Sequence, residues 1–458
     1  MMTPRPRSFA AMSPLQRGSV LIIVLWICLG LVALTLYFAN SMSSELRAAD
    51  NRVMEIAARQ AVAGGERYAA YVLTNHATNG AVPDPNSADP NFSYQAENLP
   101  VGDANFWFIG RDPNLVPTTE PVFGLVDEAS KLNLNTASLT MLEGLPNMTP
   151  DLAAAIIAWR SPSRSGNNAS NTYATLTPPR LNKGAPFESV DELRLVYGAT
   201  LDLLFGEDTN RNGALDANED DGDQSAPHDS QDGQLQPGIL EYVTVYSAQP
   251  NTRADGSRRI DISTAQTRAP LRALLLRRLS AERTSAILAR LGVITLRSVA
   301  EFLTASGMTA DEFALIHTDI TATATGTTVP GLVNVNTASA TVLACLPGIT
   351  PANAAQIVAY RIAHPTALTT FAWLPQVIGA AAFVRAGPYI TDQSYQFSAD
   401  VAAVGRNGRG YCREKIVFDM SKGSPRILYR QDLSGYGWAL GATVRRTLKL
   451  AQSTNTTS

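Results

Sequence analysis

Few of the residues that usually build catalytic or metal centres are present in this sequence. The 458 residues include 3 cysteines and 4 histidines. The histidines (His76, His228, His317 and His364) are far apart and show neither H-x-x-H nor H-E-x-x-H spacing. There is also no Walker-type phosphate loop, no G-x-G-x-x-G and no G-x-S-x-G. Nothing in the sequence therefore supports catalysis, and we expect that the protein is not an enzyme.

Long apolar runs are absent except near the beginning. Residues 19–39 carry no charged side chain, and at about 1.5 Å per residue a helix of this length spans the ~30 Å hydrocarbon core of a bilayer. The residues before it include Arg5, Arg7 and Arg17 and no Asp or Glu. By the positive-inside rule we expect one membrane helix, a cytoplasmic N-terminus, and the bulk of the chain on the outer side.

The helix is predicted to continue beyond the membrane. Between residues 41 and 73 apolar side chains recur three to four positions apart, except at one longer gap, which is typical of an amphipathic helix. We therefore expect one helix over residues 19–76, apolar in its first half and amphipathic in its second. An uncleaved signal anchor remains the alternative for the apolar half.

A basic leader that ends in Gln16-Arg17-Gly18, followed by this long helix, resembles the N-terminus of type IV pilins and type II secretion pseudopilins. The resemblance implies that a prepilin peptidase cuts after Gly18 and that the new amine of Ser19 is methylated. Most members of the superfamily carry Glu at the fifth mature position, which here is Ile23. Lack of this Glu is typical of the K-type minor pseudopilin, the subunit thought to lie at the pseudopilus tip.

The chain contains an internal repeat. Residues 132–160 realign with residues 333–361, and roughly half of the aligned positions are identical. Each copy predicts a helical hairpin in which Thr136 or Thr337 caps the first helix and a Thr-Pro pair opens the second. Residues 259–291 are a candidate for a degenerate third copy. K-type pseudopilins resemble the chain over nearly its whole length, because they carry two such SAM-like helical units inserted into a pseudopilin body.

The hairpin turn at residues 346–350 (LPGIT) also resembles helix-hairpin-helix modules, which raises an alternative function: a membrane-tethered receptor for extracellular DNA. Such modules hold a phosphate on backbone N–H groups at a helix N-terminus, supported by Lys and Arg. Here Arg361 is the only cation of the second copy, and the net charge of the chain is −3. DNA-binding proteins usually have a basic surface, so we expect no nucleic-acid partner. The pseudopilin resemblance instead implies binding to other minor pseudopilins.

Segments that are predicted to be strands flank the helical region. They are residues 106–110, 122–126, 240–247, 395–404, 413–420 and 426–433. Turn-like sequences join the last three, which predicts an antiparallel meander. The expected fold class is α+β: a type IV pilin-like long N-terminal helix packed on an antiparallel sheet, with a large all-helical insert made of two duplicated helix-hairpin units.

One acidic loop fits the calcium-binding sequence D-x-[DN]-x-[DN]-G-x5-E at every specified position. Oxygen ligands suit Ca²⁺, and the glycine at the sixth position permits a sharp bend. The predicted ligands are five side chains and one backbone carbonyl: Asp208, Asn210, Asn212, Asp216, Glu219 and the carbonyl of Ala214. A solvated acidic loop is the alternative. Calcium binding near this point is also a known trait of K-type subunits, and the acidic residues that follow are candidates for a second site.

The cysteines allow one disulfide outside the membrane. Cys28 lies inside the predicted span, which leaves Cys345 and Cys412. In an oxidising periplasm these two would bridge the second hairpin to the C-terminal sheet. The sequence does not show whether their Cα atoms come within bonding reach, so two free thiols remain the alternative.

These expectations divide the chain into consecutive segments. They are a cytoplasmic leader (1–18), the long helix (19–76, membrane part 19–39), the first part of the sheet (77–128), a first helical unit with the calcium loop (129–238), a strand and connection (239–258), a second helical unit (259–381), the C-terminal sheet (382–450) and a disordered tail (451–458). The expected protein crosses the bacterial inner membrane once, places its bulk in the periplasm, and supports export of folded proteins across the outer membrane.

Overall fold

The computed structural model describes residues 15–455 except 88, 92, 113, 115–118, 163–172, 174, 254, 265, 266 and 293, so most of the predicted leader lies outside the described residues. The α-helices of the described residues are α1 (Leu15–His76), α2 (Leu139–Glu143), α3 (Pro150–Arg160), α4 (Leu201–Phe205), α5 (Arg268–Arg278), α6 (Ala281–Leu291), α7 (Val299–Ser306), α8 (Ala310–Ala314), α9 (Ala340–Ala344), α10 (Pro351–Ala363), α11 (Leu374–Ile378), α12 (Ala380–Ala386) and α13 (Gly441–Asn455).

The strands are short in the middle of the chain and long near its end. They are β1 (Leu99–Val101), β2 (Ala104–Ile109), β3 (Val126–Asp127), β4 (Leu132–Asn133), β5 (Val243–Thr244), β6 (Ala248–Pro250), β7 (Ile260–Asp261), β8 (Ile320–Thr321), β9 (Thr328–Pro330), β10 (Val333–Asn334), β11 (Ile390–Thr391), β12 (Gln396–Gly405), β13 (Arg409–Asp419) and β14 (Arg426–Asp432).

The first helix confirms the predicted continuity across and beyond the membrane segment. α1 has no break between Leu15 and His76. Residues 20–40 are all exposed, and Ile23 is 57% exposed. Within the described part of the chain, α1 alone is long and apolar enough to cross a membrane, judged by length and composition. The second half of α1 differs, because from Ala58 to Leu73 it contributes buried residues to a core.

The second half of α1 packs on a six-stranded antiparallel sheet with the order β1-β2-β12-β13-β14 and with β3 paired to β12. Side chains alternate between its two faces, as the period of a strand requires. Phe106 and Phe108 of β2 face α1, whereas Trp107 and Ile109 join a smaller cluster on the other face. The contact with α1 is close, since a Cβ on Gly65 would lie 2.6 Å from Val401. The predicted helix-on-sheet fold is therefore confirmed.

Between β3 and β12, the described residues of the range 132–391 form the helical insert. It contains three units, each closed by a parallel pair of two-residue strands, namely β4 with β5, β7 with β8 and β10 with β11. In each unit an Asn or Asp side chain accepts the N–H two residues later, at 2.8–2.9 Å: Asn133 from Asn135, Asp261 from Ser263 and Asn334 from Asn336. The degenerate candidate that starts at residue 259 is therefore a third unit of the same kind.

The first and third units contact each other at equivalent positions of the repeat. Gly144 and Cys345 align with each other in the two copies. A Cβ on Gly144 would lie 3.2 Å from the Cys345 sulfur, so the two hairpins meet at the ends of α2 and α9. One hydrophobic cluster runs from Leu132 to Ile390 through all three units.

Asp127 joins the third unit to the sheet. It lies at the end of β3 and is 5% exposed. Its Oδ2 accepts the hydroxyls of Thr337 at 2.5 Å and Ser394 at 2.6 Å, and its Oδ1 accepts the N–H of Ala129 at 2.7 Å. Burial is the main reason why the pKa of Asp127 is raised to about 6.

The next residue, Glu128, joins the first unit to the same strand region. Its carboxylate accepts the hydroxyl of Thr244 at 2.5 Å and lies 3.5 Å from the ammonium group of Lys415 on β13. Despite full burial, the positive charges of Lys415 and Lys131 hold the pKa of Glu128 at about 2. Adjacent carboxyl groups thus fix two different helical units to one sheet.

Several details differ from the sequence predictions. Of the predicted strand at residues 122–126, only Val126 belongs to a strand, and Phe123 forms an isolated bridge to Ile109. The first hairpin helices are capped by Ser138 and Ser339, two residues beyond the predicted threonines. The segment predicted as a strand at 240–247 forms a 3-10 helix and the two-residue β5, because it closes a helical unit instead of extending the sheet. The C-terminal part is helical up to Asn455, because Val444 and Leu448 pack on the second face of the sheet; residues 456–458 of the predicted tail lie outside the described residues.

We expect Asp127→Asn to change how stability depends on pH. Because the folded-state pKa of Asp127 lies above its ordinary value, its contribution to folding is present at low pH and is lost as pH rises through about 6. The wild-type free energy of unfolding should therefore fall relative to Asp127→Asn, by on the order of 3 kcal/mol, between about pH 4 and pH 7. Thermal unfolding of both full-length proteins in detergent over this range measures the difference. Glu128 and Lys415 are common to both proteins, so a difference that does not vary with pH would contradict the assignment.

Candidate metal centre

The predicted calcium-binding residues lie in one compact loop, the metal loop (residues 208–219), which follows α4 and ends in a 3-10 helix at Ala217–Glu219. Glu207, the residue before the metal loop, joins the start of the longer segment 207–236 to its end. The Glu207 carboxylate accepts the N–H of Ser230 at 3.1 Å and of Gln236 at 2.8 Å. Gly213 has a positive φ of 74°, as the sharp bend at the sixth position requires.

All five predicted side-chain ligands are brought together. The Asp216 carboxylate accepts the amide N–H groups of Asn210 at 2.6 Å and Asn212 at 3.1 Å. Asp208 accepts the backbone N–H of Gly213 at 2.9 Å. The Glu219 carboxylate accepts the N–H groups of Asp216 and Thr209, both at 3.1 Å, so the end of the loop lies beside its second residue.

The metal loop is buried although it is rich in carboxylates. Asp208 is 3% exposed, Asn212 0%, Ala214 0% and Glu219 1%. Burial, together with the negative charges of Asp208 and Asp216, raises the pKa of Glu219 to about 8. Burial also raises the pKa of Asp208, although the nearby Arg111 opposes this shift. The loop therefore holds more buried negative charge than its surroundings neutralise.

The donor set fits a hard cation. The described residues contain no group of three or more His, Cys, Asp or Glu side chains close enough together to hold a metal ion. In the metal loop, the carboxylate oxygens of Asp208, Asp216 and Glu219 instead accept hydrogen bonds from amide and backbone N–H groups. Carboxylate, amide and carbonyl oxygens in this spacing are nevertheless the ligands that Ca²⁺ takes in such loops. The predicted ligands would hold Ca²⁺, which would neutralise the buried carboxylates.

Two arginines that sequence reasoning did not single out hold the backbone of the metal loop. Arg413 of β13 is 0% exposed and donates to the carbonyls of Asn210 at 2.5 Å and Arg211 at 2.9 Å. Arg111, two residues after β2, donates to the carbonyls of Arg211 at 3.0 Å and Asn212 at 3.1 Å. The sequence contains no signal for Arg413, because Glu414 and Lys415 follow it directly and make it resemble a charged surface position.

The acidic residues that follow the metal loop make turns of their own. Asp229 accepts the N–H groups of Asp221 and Gly222 at 2.9–3.0 Å, and Asp221 accepts the N–H and the hydroxyl of Ser225 at 3.1 and 2.7 Å. These carboxylates satisfy local backbone donors. The structure therefore does not assign them to a second ion.

The predicted disulfide is not formed. Cys345 and Cys412 are free thiols in this structure. Cys345 is buried between the two hairpins, and burial raises its pKa to about 11. Cys412 lies on β13 among residues that pack against α1, beside the hydroxyl of Ser434. The two cysteines thus belong to different cores, which is why they do not pair.

The helix-hairpin-helix turn is not open to a ligand on its glycine side. A Cβ on Gly348 would lie 2.8 Å from Arg385 and 2.9 Å from the carbonyl of Ala382, so α12 covers this side of the turn. Arg361 is 2% exposed and donates to the carbonyls of Val335 and Ala338 at 2.9 and 2.8 Å. The one cation of this copy therefore supports the fold of its own hairpin.

The chain is similar to a known sequence family and to solved structures. Residues 331–391, which form the unit closed by β10 and β11, match the helix-hairpin-helix motif family. The chain is also similar to a chain in the crystal structure of the GspK-GspI-GspJ complex from the enterotoxigenic Escherichia coli type 2 secretion system. The sequence identity is 11% and the TM-score is 0.36, and the similarity covers 85% of this chain and 98% of that chain. No curated protein matches the sequence.

We propose that the metal loop binds Ca²⁺ and expect chelation to destabilise the protein. An ion that binds only the folded state stabilises it by about 2.7 kcal/mol at a hundredfold excess over Kd. The double variant Asp208→Ala with Glu219→Ala should lose calcium uptake and should melt at the temperature of the chelated wild type. Calorimetric titration with CaCl₂ and thermal unfolding of the full-length protein in detergent measure both effects.

The matched control is Glu143→Ala with Asp151→Ala, which removes two exposed carboxylates of the first unit outside the metal loop. This control should bind calcium like the wild type. If the wild type takes up no calcium at millimolar concentration, and chelator leaves its melting temperature unchanged, the assignment of a calcium site to this loop is wrong.

Proposed function

We propose that this chain is a K-type minor pseudopilin of the type II secretion system. In this proposal α1 anchors it in the bacterial inner membrane with the N-terminus in the cytoplasm, and the sheet and helical insert lie in the periplasm. There it binds other minor pseudopilins at the pseudopilus tip and supports export of folded proteins across the outer membrane. Its role is binding and not catalysis.

The observation that carries this proposal is the division of α1 into two halves. Residues 20–39 are exposed and almost entirely apolar, whereas the part from Ala58 to Leu73 buries one face against the sheet. An exposed apolar helix of this length is stable in a bilayer or among other apolar helices, and not in water. One continuous helix therefore links a membrane segment to a folded outer body.

Ile23 supports a position at the tip. In the superfamily that the N-terminus resembles, a carboxylate at the fifth mature position is thought to pair with the amine of the neighbouring subunit. An unpaired carboxylate in the hydrocarbon core is costly. A subunit with no neighbour beyond it is therefore more stable with an apolar side chain such as Ile23 at that position.

The alternative of a DNA receptor is less well supported. The net charge of the chain is −3, and Arg361 of the module that matches the helix-hairpin-helix family is buried at 2% exposure. A phosphate-binding surface needs cations that reach solvent. The turn around Gly348 is also covered by α12 on one side. These features favour a protein partner.

We expect cleavage after Gly18 and methylation of Ser19 in cells with an active prepilin peptidase. Mass spectrometry of the N-terminal peptide measures both modifications. Gly18→Leu should leave the precursor uncut, because the peptidase must approach the scissile backbone closely. The control Gly30→Leu changes a glycine of the same helix at which an added Cβ would have open space, and it should be processed normally. An intact leader on the wild-type protein would rule out this processing.

We expect the full-length protein in detergent to co-purify with other minor pseudopilins of the same bacterium and not to bind DNA. Co-expression with these subunits, followed by affinity purification, measures the first property. Titration with labelled duplex DNA at increasing salt measures the second. Tight binding to DNA that weakens steeply with salt, together with no association with minor pseudopilins, would favour the DNA-receptor function instead.

A further inference from the structure

The metal loop is held by the sheet at three consecutive carbonyls. Arg413 reaches Asn210 and Arg211, and Arg111 reaches Arg211 and Asn212. Two of these three residues, Asn210 and Asn212, also provide predicted ligand side chains. The same backbone segment therefore faces the candidate ion with its side chains and the sheet with its carbonyls.

Both arginines are themselves fixed by carboxylates. Arg413 donates to Asp400 on the neighbouring strand β12 at 2.8 and 2.6 Å. Arg111 donates to Glu241 at 2.7 and 3.1 Å, and its guanidinium lies 3.8 Å from Asp208. A guanidinium that holds a carboxylate with two parallel N–H groups has a defined orientation, so its remaining N–H groups point in fixed directions.

The backbone conformation of the metal loop at Arg211 and Gly213 allows Arg111 and Arg413 to approach closely. Arg211 has a positive φ of 60°, an uncommon conformation for a residue other than glycine, and its carbonyl accepts from both Arg111 and Arg413. At Gly213 a Cβ would lie 2.6 Å from Nε of Arg111. The lack of a side chain at Gly213 thus permits both the bend of the loop and the close approach of Arg111.

A third contact comes from the C-terminal part of the sheet body. The side-chain amide of Asn210 donates to the carbonyl of Trp438 at 3.1 Å. Trp438 lies between β14 and α13, and it packs with the cluster on the face of the sheet opposite to α1. The metal loop therefore contacts the segment after β2, the middle of β13 and the segment before α13.

We infer that Arg111 and Arg413 are positioning residues that couple calcium binding in the metal loop to the docking of the helical insert on the sheet. The inference rests on the proposed calcium site. When the loop backbone is fixed by the sheet, less conformational freedom is lost on binding the ion. By linkage, the ion must then favour the docked arrangement by the same factor.

The test uses the full-length protein in detergent with CaCl₂ as the probe. The variant is Arg413→Gln with Asp400→Asn, which removes the contacts to the loop without leaving an unpaired buried carboxylate. The matched control is Arg283→Gln with Glu312→Gln. This pair also joins a guanidinium to a carboxylate at 2.6 and 2.8 Å and to the carbonyl of Gly307 at 2.7 Å, but it lies in the second unit.

The Arg413 variant should bind calcium about tenfold or more weakly than the wild type, within the usual range of coupling between two sites. The control should remain within about twofold. Retained calcium affinity in a folded Arg413 variant would overturn the coupling. Absence of calcium uptake by the wild type is a different outcome, since it would show that the underlying calcium site is wrong.

Hydrogen–deuterium exchange of the wild type keeps the inference testable if the variant does not fold. Calcium should slow exchange in the metal loop and also in β13 around Arg413 and near Trp438. Slower exchange confined to residues 207–236 would overturn the inference, because calcium binding would then have no effect on the sheet. The β7–β8 closure of the second unit serves as the internal control and should not change.

Discussion

The need to pair the buried guanidinium group of Arg413 and the half-buried one of Arg111 sets the position of the first helical unit on the sheet. Arg413 is fully buried between β12 and the metal loop, and Arg111 lies at the end of β2 with Glu241 and Asp208 around it. Leaving a buried charge without its partner costs about 3–5 kcal/mol. The loop carbonyls and the carboxylates must therefore reach both arginines at once, which fixes the place of the loop on the sheet.

The rest of the insert is attached by the same kind of contact at a second place. Asp127 and Glu128 are adjacent, yet the first holds Thr337 and Ser394 and the second holds Thr244 and Lys415. The three units share one hydrophobic cluster, so joining the first and third units to the sheet also places the second. The outer body is thus a single assembly at the end of α1.

The large elements were predictable because they depend on local patterns. The uncharged run and the helical spacing of apolar residues gave α1, and alternation gave β2 and β12–β14. The loop sequence predicted that Asp208, Asn210, Asn212, Asp216 and Glu219 lie in one loop. In the structure the side chains of Asn210 and Asn212 bond to that of Asp216, and those of Asp208 and Glu219 bond to backbone N–H groups of the same loop. Comparing the sequence with itself revealed the two similar copies, which are the first and third units. The second unit was only a weak candidate, because it shares with them a turn around Asp261 and a pair of short strands but little sequence.

The remaining features depend on contacts between residues distant in sequence. Arg413 contacts residues 202 and 203 positions away, and no periodicity marks it as different from a surface arginine on a strand. The predicted disulfide was wrong for the same reason: Cys345 and Cys412 belong to separate hydrophobic cores, and the sequence does not show this. α13 was missed because its apolar side chains, Val444 and Leu448, have a partner only once the sheet has formed.

The most direct measurement of the central claim is a secretion assay in the bacterium that carries this protein. Deleting its gene should stop release of a folded type II substrate into the medium while the substrate accumulates in the periplasm. The full-length chain should restore release, and the same chain without residues 20–39 should not, because its outer body would lose the membrane helix. Normal secretion in the deletion strain, with DNA uptake lost instead, would contradict the account.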